Sequence, residues 1–367
     1  MLTIAVETLR AWLAEGRPVT MLDVRPAAER DEWSIPGSIH IDAYDALKAN
    51  NPQALDGVIL PENEPVVTIC GAGKTSLTAA RQLQARGIHA LSLEGGMQAW
   101  SLAWNSAEVP LPGSGARVIQ VRRTGKGCLS YLIGSEGLAA VVDPSLPPQV
   151  YLDLAQAHGW RIALVLETHI HADHLSRGRD LAARAQAHLS LPEQRRVSDA
   201  FMPVREGTEL VIGAARLSAL HTPGHTPEST CYLLDGRVLF SGDTLFLESV
   251  GRPDLHADAS KTREQAHRLF HSLRRLAQLP AETTVLPGHS SHPVAFDRQP
   301  LGASHVAVRE WLGVRLEDEE AFVASILARL PPTPPNYKRI IAYNEAGELP
   351  EQDVSRLEAG ANRCAIA

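Results

Sequence analysis

Cysteine is scarce in this sequence, and long apolar runs are missing. The four cysteines, at positions 70, 128, 231 and 364, are widely spaced and include no Cys-x-x-Cys pair. The sequence therefore indicates neither a disulfide framework nor a thiolate metal site. No apolar run approaches the roughly 18 residues that span a bilayer, and the first residues lack the basic and apolar regions of a signal peptide. We expect no membrane partner and a cytoplasmic location.

Clusters of positive charge are also missing. The formal net charge is −7 at pH 7, and no run is rich in lysine or arginine, which argues against nucleic acid or an anionic membrane as the main partner. A chain of 367 residues is about twice the length of a typical domain, so we expect two domains, each with its own core. The sequence leaves a monomer and a homo-oligomer open.

Strand and helix signals alternate over the first hundred residues. This alternation predicts an α/β domain over residues 1–105, in which a parallel sheet carries helices on both faces. The predicted elements are a helix at 6–15, strands at 19–24 and 66–69, a helix at 75–86 and a strand at 90–93.

A stretch rich in proline and glycine, residues 106–116, is typical of a linker. Beyond it, closely spaced strand signals and a few helices predict a second domain over residues 117–330, with two sheets covered by helices. The predicted strands are 118–122, 129–133, 138–142, 162–166, 209–212, 216–220, 230–234 and 238–240, and the predicted helices 149–157, 261–277 and 304–313. Residues 331–367 form a C-terminal extension whose prolines at 331–335 require an extended start.

Histidine and aspartate cluster where apolar runs end in turns. The segment after the strand at 162–166 has the pattern His-x-His-x-Asp-His, and three further turns each add one such residue. The set is His169, His171, Asp173, His174, His225, Asp243 and His289. Imidazole and carboxylate ligands suit zinc or iron, and two histidines with one carboxylate leave coordination positions for substrate and oxygen.

These motif pieces resemble the metallo-β-lactamase superfamily. The resemblance implies an αββα sandwich for the second domain. A cluster of core or solvated histidines is the alternative, but four separate pieces in the expected order argue against it.

Cys70 is the best candidate for a nucleophile. It lies between a predicted strand and a predicted helix, in a loop whose backbone N–H groups and helix N-terminus would stabilise a thiolate or persulfide anion. A phosphate-binding P-loop is excluded because Thr68 occupies the position where that motif needs glycine. A buried cysteine at the end of a strand is the alternative.

The residues around Cys70 resemble a rhodanese domain across 1–105. Segments 22–25 and 35–40, together with Glu29, match its early signature, and segment 94–100 matches its late one. The resemblance implies that Cys70 carries sulfane sulfur. The implied substrate-binding loop is Gly71, Ala72, Gly73, Lys74 and Thr75. Many rhodaneses that use thiosulfate have arginine where Gly71 stands, so a donor or acceptor such as a low-molecular-weight persulfide is plausible.

The superfamily includes dizinc hydrolases and mononuclear iron dioxygenases, and the seven metal-ligating residues fit both. Segments 126–133, 250–255, 334–337 and 357–364 resemble the bacterial persulfide dioxygenases across residues 115–367. That resemblance implies one Fe(II) per chain, held by His169, His225 and Asp243. His171, Asp173, His174 and His289 would surround these ligands without binding the metal.

The resemblance implies oxidation of glutathione persulfide, or a related thiol persulfide, by O₂ to sulfite and free thiol. Cys70 would pass sulfane sulfur to or from a thiol, sulfite or thiosulfate. A dizinc thioester hydrolase and a sulfur relay without catalysis are the alternatives. Arg252 could bind a substrate carboxylate or form a structural ion pair, and Tyr337 could approach the site or anchor the extension. We expect packing roles for Cys128 and Cys231.

Overall fold

The computed structural model describes residues 2–111, 113–197, 200–255, 259–290, 292–351 and 354–366. The expected linker, 106–116, includes Pro112, which is outside these ranges. None of the helices in these ranges is both long enough and apolar enough to cross a membrane.

A parallel sheet organises the first hundred residues. Its strands are β1 Thr3–Ile4, β2 Thr20–Asp23, β3 Ile39–His40, β4 Val66–Ile69 and β5 Ala90–Leu93. They lie in the order β1-β5-β4-β2-β3, and all pair in parallel. The helices are α1 Val6–Ala14, α2 Ala27–Glu32, α3 Tyr44–Lys48, α4 Lys74–Ala85 and α5 Gly96–Trp100.

Alternating side chains of this sheet enter two separate cores. Met21 and Val67 pack with α1 and α5 on one face, whereas Leu22 and Val66 pack with α3 and α4 on the other. Successive residues of a strand point to opposite faces, so a sheet buried on both sides needs apolar residues at every position. The predicted α/β sheet with helices on both faces is confirmed.

Two sheets form the rest of the fold. The first contains β6 Asn105–Val109, β7 Arg117–Arg122, β8 Leu129–Ser135, β9 Leu138–Val142, β10 Arg161–Leu166, β11 His188–Pro192 and β12 Met202–Val204. The second contains β13 Glu209–Ile212, β14 Ala215–His221, β15 Thr230–Leu234, β16 Val238–Gly242, β18 Thr284–Pro287 and β19 Ala303–Ser304, while β17 Val250–Gly251 pairs separately with β20 Ala365–Ile366. The helices are α6 Pro148–Ala157, α7 Gly178–Ala185, α8 Ala259–Leu276, α9 His305–Gly313, α10 Glu319–Ala328, α11 Tyr337–Ala346 and α12 Val354–Glu358.

The two sheets face each other across the largest core. Ile133 of the first sheet and Phe240 of the second belong to this shared cluster. Helices α6 and α7 cover the outer face of the first sheet, and α8, α9 and α10 cover that of the second. The layers are therefore α, β, β and α, as predicted.

One detail of the predicted linker is wrong. Residues 106–109 belong to β6, which pairs antiparallel with β7 from Asn105↔Arg122 to Val109↔Val118. Alternate residues Ala107 and Val109 are buried in this strand. The sequence predicts a linker across this short apolar alternation because prolines and glycines follow it directly.

The C-terminal extension returns to the site region. Residues 331–334 belong to no helix or strand, which agrees with their prolines, and α11 and α12 follow. At the end, β20 pairs antiparallel with β17 through Val250↔Ile366. The extension therefore covers the loops that carry the histidines and aspartates.

Candidate metal centre and cysteine loop

The predicted metal ligands lie at the ends of neighbouring strands. His169 follows β10, His225 follows β14, and Asp243 follows β16. The loop after β10 is fixed by Asp143, whose two carboxylate oxygens accept hydrogen bonds from the Thr168 N–H at 2.7 Å and the Thr168 hydroxyl at 2.8 Å. The strands thus bring together side chains that are far apart in sequence.

His169, His225 and Asp243 face one another at the centre of the site. Asp243 Oδ2 lies 3.9 Å from His169 Nε2 and 3.7 Å from His225 Nε2. Each of these three atoms is buried and has no hydrogen-bond partner among the described residues. Buried polar atoms are normally hydrogen-bonded, so three that converge within 4.8 Å of one another fit a metal ion.

The opposite ring nitrogens hold both imidazoles in place. His169 Nδ1 lies 2.9 Å from the Thr168 hydroxyl, which itself donates to Asp143. His225 Nδ1 donates to the Arg252 carbonyl at 2.8 Å. A proton on Nδ1 leaves the Nε2 lone pair free for a metal. Burial lowers the pKa of both His169 and His225, which favours the neutral, metal-binding form.

His171 lies beside His169, with ring centroids 4.1 Å apart, and contacts two carboxylates through one ring nitrogen. Its Nε2 lies 3.2 Å from both Asp143 Oδ1 and Glu167 Oε2. Burial opposes its protonation, but the two carboxylates prevail and raise its pKa well above the ordinary value. His171 is thus held as a buried cation between Asp143 and Glu167, two residues that lay outside the predicted motif.

A second group of donors lies beside the first. Asp173 Oδ2 is 2.7 Å from His289 Nε2, and His289 Nδ1 is 2.5 Å from Asp243 Oδ1. His174 Nδ1 is 3.2 Å from Asp173 Oδ1. All four residues are buried. His289 therefore orients Asp243 through Oδ1, and Asp173, His174 and His289 also offer ligand atoms of their own.

Cys128 belongs to this second group, in contrast to the predicted packing role. Its Sγ lies 3.6 Å from Asp173 Oδ2 and 3.8 Å from His174 Nδ1. Burial and Asp173 would raise the thiol pKa, but His174 and His289 outweigh them and lower it to about 6. The sequence signal was available, because Cys128 lies in the segment that resembles the persulfide dioxygenases.

The other two cysteines of this domain are buried and do not belong to either group of donors. Cys231 packs in the core under α8, where its Sγ lies 3.2 Å from the Thr222 hydroxyl. Burial raises its thiol pKa to about 11. Burial likewise raises the pKa of Cys364 well above its ordinary value. These environments favour inert thiols.

Arg252 is a structural residue, and its predicted role in binding a substrate carboxylate is wrong. The guanidinium is fully buried and donates to both oxygens of Asp254 and to the carbonyls of Pro331, Pro332 and Arg363. All five N–H groups are therefore used. Its contribution to the site is the backbone carbonyl that orients His225.

Tyr337 packs against a small apolar cluster that includes Ile170 and Ile341. This contact fits the anchoring role. Asn344 of the same helix donates to the carbonyls of His171 and His174, each at 2.9 Å. The extension therefore fastens the loop of the metal motif.

Cys70 directly follows β4, and α4 begins at Lys74, inside the predicted loop. Cys70 Sγ lies 3.2 Å from the Ser76 hydroxyl. The Met97 and Gln98 N–H groups donate to the carbonyls of Cys70 and Gly71 at 2.8 and 3.0 Å. The late glycine-rich segment thus supports the cysteine loop, and a Cβ on Gly96 would overlap the Cys70 carbonyl.

Comparisons with known proteins match both halves. The rhodanese-like domain family matches residues 5–103, and the metallo-beta-lactamase superfamily matches residues 123–289. The crystal structure of ETHE1 from Myxococcus xanthus is 30% identical, with a TM-score of 0.54, over 63% of this chain and 98% of that one. The chain belongs to the metallo-β-lactamase superfamily. A rhodanese-like domain precedes its metallo-β-lactamase domain.

Other relatives of the metallo-β-lactamase domain are named as a metallo-beta-lactamase or as hydroxyacylglutathione hydrolases. A metallo-beta-lactamase structure from Staphylococcus aureus subsp. aureus COL is 26% identical, with a TM-score of 0.58, over 65% of this chain and 75% of that one. The hydroxyacylglutathione hydrolase of Rhodospirillum rubrum is 35% identical over 156 residues, which are 42% of this chain and 57% of the relative. The chain thus spans little more than half the length of that curated relative.

Proposed function

We propose that the metallo-β-lactamase domain is a persulfide dioxygenase that uses one Fe(II) per chain. The observation that carries the proposal is the difference in hydrogen bonding between the histidines. His169 and His225 bring unpaired Nε2 atoms to within 4 Å of Asp243 Oδ2, whereas the Nε2 of His171 contacts Asp143 and Glu167 and its Nδ1 is the atom without a hydrogen-bond partner. Two histidines and one carboxylate are the ligand set of non-haem iron oxygenases.

The proposed substrate is glutathione persulfide or a related low-molecular-weight thiol persulfide. The names of the hydroxyacylglutathione hydrolases support a glutathione conjugate. The overall reaction converts one persulfide anion, O₂ and water into the thiol, sulfite and one proton. The outer sulfur loses four electrons, which reduce O₂. Bound Fe(II) would supply the redox centre and the coordination positions at which O₂ and the persulfide sulfur meet.

The chain's own residues would keep His169 and His225 in the tautomer that binds metal and Asp243 correctly oriented. The Thr168 hydroxyl and the Arg252 carbonyl fix the tautomers of His169 and His225. His289 bonds Asp243 through Oδ1, which leaves Oδ2 for the metal. Outer partners of this kind orient metal ligands and tune their basicity.

The rhodanese-like domain would carry sulfane sulfur on Cys70, with residues 71–75 as the anion-binding loop. A thiol, sulfite or thiosulfate would exchange sulfur with it, and the direction stays open. The two domains would share a sulfane-sulfur intermediate in one cytoplasmic protein.

A dizinc thioester hydrolase is the second candidate. The names of the curated relatives favour it, and Asp173, His174 and His289 lie beside Asp243 as donors. Metal analysis of the purified protein separates the two functions. About one iron per chain with O₂ uptake on glutathione persulfide supports the dioxygenase, whereas about two zincs and no uptake supports the hydrolase.

The Asp243→Ala substitution tests the ligand set. Loss of the carboxylate should lower the bound iron and reduce O₂ uptake by at least about 100-fold, because its charge and its oxygen ligand are both removed. Iron content by mass spectrometry and an oxygen electrode give the two readings. Asp153→Ala, on the exposed side of α6, is the matched control. Unchanged iron in Asp243→Ala would remove Asp243 from the ligands.

The Cys70→Ser substitution tests whether sulfur transfer and O₂ uptake belong to separate domains. Sulfur transfer from a persulfide donor to cyanide should fall by at least about 100-fold, because the nucleophile is lost. O₂ uptake on supplied glutathione persulfide should remain, since the metal ligands are untouched. Cys231→Ala, a buried core change, should keep both activities. Loss of O₂ uptake in Cys70→Ser would place Cys70 on the oxidation route.

A further inference from the structure

Two buried serine hydroxyls form a chain that begins at the sulfur of Cys70. Cys70 Sγ lies 3.2 Å from Ser76 Oγ, and Ser76 Oγ lies 2.8 Å from Ser92 Oγ. Both serines are fully buried, and Cys70 is 2% exposed. Neither serine belongs to the predicted anion-binding loop, residues 71–75, so the cysteine motif gives no sign of them.

The position of Ser76 is fixed from the sheet. Ser76 lies in the first turn of α4, and the Thr68 hydroxyl of β4 donates to its carbonyl at 2.8 Å. Ser92 of β5 is the pairing partner of Thr68 in the parallel sheet. The two strands and the start of the helix therefore place both hydroxyls beside the residue that follows β4.

Packing alone does not explain these serines. The other buried residues of α4 are Ala79, Ala80 and Leu83, which are all apolar. Burial of a hydroxyl costs free energy unless the hydroxyl is hydrogen-bonded, and replacement of both partners of a buried hydrogen bond by apolar groups is often nearly neutral. A pair of hydroxyls at this helix–sheet contact therefore indicates a function at the sulfur.

Rotation of the hydroxyls alone can serve both forms of Cys70. A serine hydroxyl donates one hydrogen bond and also accepts. With a neutral thiol, Cys70 donates to Ser76, and Ser76 donates to Ser92. Ser92 then donates to the Gly73 carbonyl at 3.5 Å. With a thiolate, Ser92 donates to Ser76, and Ser76 donates to the sulfur. This second arrangement gives the anion a charge-assisted hydrogen bond, which is the stronger kind.

We propose that the Ser76 hydroxyl stabilises the Cys70 thiolate during sulfur transfer and that Ser92 supports it by donating to Ser76. Ser76 contacts the reacting sulfur, so its role is catalytic, whereas Ser92 is a positioning residue. The inference rests on the proposed role of Cys70 as the sulfur carrier. It adds an activating group from outside residues 71–75.

The hydrogen bond would act in both half-reactions. In loading, the Cys70 thiolate attacks the outer sulfur of a donor persulfide, an S–S bond forms on Cys70, and the donor leaves as a thiolate. In discharge, sulfite attacks the outer sulfur and takes it as thiosulfate, while its proton goes to water. The electron pair of the broken S–S bond returns to Cys70, where Ser76 stabilises the anion. Neither step needs an added oxidant or reductant.

The pH dependence of loading tests this role. The full chain, purified with its metal, converts glutathione persulfide and saturating sulfite to thiosulfate, and Cys70→Ser gives the background. Anaerobic conditions keep the proposed dioxygenase inactive. The kcat/KM for the persulfide reports ionisation in the free enzyme. The ratio of variant to parent removes the effect of the donor's own ionisation.

Ser76→Ala should lower this ratio about tenfold at acid pH, which is the size expected for one hydrogen bond to a charged group. The ratio should return toward one as the pH rises, because the thiolate then forms without help from the hydroxyl. Ser92→Ala should give a smaller loss in the same pH range, about two- to threefold. Ser101→Ala removes another fully buried hydroxyl, which donates to the Gln98 carbonyl, and should match the parent at every pH.

The charged and titratable groups near the cysteine loop are the same in all these variants. They are Lys74 of α4, Glu29 of α2, Glu94 after β5, the paired Asp23 and Arg25 at the end of β2, and His40 of β3, whose Nε2 lies 2.8 Å from the Arg25 carbonyl. A change confined to the Ser76 and Ser92 variants therefore reports their hydroxyls.

The outcomes separate this role from the sulfur-carrier function itself. An equal loss at every pH in Ser76→Ala would make the hydroxyl a structural group and overturn the proposal, and so would a ratio of one throughout. If the parent forms no more thiosulfate than Cys70→Ser, the proposed sulfur carrier fails, and the role of Ser76 fails with it.

Discussion

At the scale of single residues, the chemistry depends on which nitrogen of each histidine is already bonded. His169 and His225 are held through Nδ1 and leave Nε2 unpaired. His171 is held through Nε2 by two carboxylates. The same residue type would therefore bind metal through Nε2 at positions 169 and 225 and serve a structural role at position 171.

The paired substitutions His169→Asn and His171→Asn test this distinction. His169→Asn should lose most of the bound iron, because one ligand is removed. His171→Asn should keep the iron but lower the free energy of unfolding by about 3–5 kcal/mol, because Asp143 and Glu167 lose their buried cation. Metal analysis and urea unfolding give the two readings. Equal loss of metal in both variants would favour the dizinc hydrolase.

At the scale of elements, the short strand β17 lies between two of the proposed metal ligands, His225 and Asp243. Gly251 passes so close to the centre that a Cβ there would overlap the Asp243 carbonyl oxygen and lie 2.9 Å from His225 Cβ. Pairing with β20 fixes β17 from its other side. The extension thus supports the positions of the proposed ligands through this pairing.

Gly251→Ala should disturb His225 and Asp243 together. The added methyl group must push one of them away, and displaced outer contacts lower metal affinity by about 10–100-fold. Titration of the metal-free protein with iron under anaerobic conditions measures the change. Gly115→Ala, where a Cβ meets nothing within 4 Å, is the control. Unchanged affinity in Gly251→Ala would mean that β17 can move without affecting the site.

At the scale of the whole molecule, Glu358 joins the extension, the metal loop and the first domain. Its carboxylate contacts Arg123 at 2.7 Å, Arg177 at 3.5 Å and the Leu175 N–H at 2.6 Å. Arg123 also donates to the Ser101 carbonyl at 2.6 Å, next to α5. One buried carboxylate therefore links three parts of the chain.

Acid should loosen this junction. Burial alone would raise the pKa of Glu358, but Arg123 and Arg177 outweigh it and lower the pKa. A lowered pKa contributes stability that is present above the unfolded value of about 4.3 and is lost as the pH falls through the folded value. The free energy of unfolding should therefore fall as the pH drops below about 4.3.

The Glu358→Gln variant checks the origin of the acid effect. It should lose about 3–5 kcal/mol at neutral pH, because Arg123 and Arg177 lose their buried partner, and its stability should depend less on pH in the acid range. Urea unfolding over a pH series measures both effects. The exposed substitution Glu351→Gln should behave as the parent. If the stability of Glu358→Gln still falls in acid as the parent's does, other carboxylates cause the acid dependence.

Local sequence determined the secondary structure and the positions of the chemistry. Apolar runs that end in turns placed His169, His225 and Asp243 at strand ends, and the run before Cys70 placed it at the end of β4. These features depend on neighbouring residues, so periodicity and turn residues were enough to predict them. Strand β6 was missed because its signal is short and its pairing partner lies beyond the prolines.

Only the tertiary structure decided which groups the side chains meet. Arg252 lost its predicted substrate role because the distant carbonyls of residues 331, 332 and 363 occupy its donors. Cys128 joined the donor group because β8 begins beside His289. Such contacts depend on residues far apart in sequence, and hydrogen bonds and burial at that range are set by packing and not by local pattern.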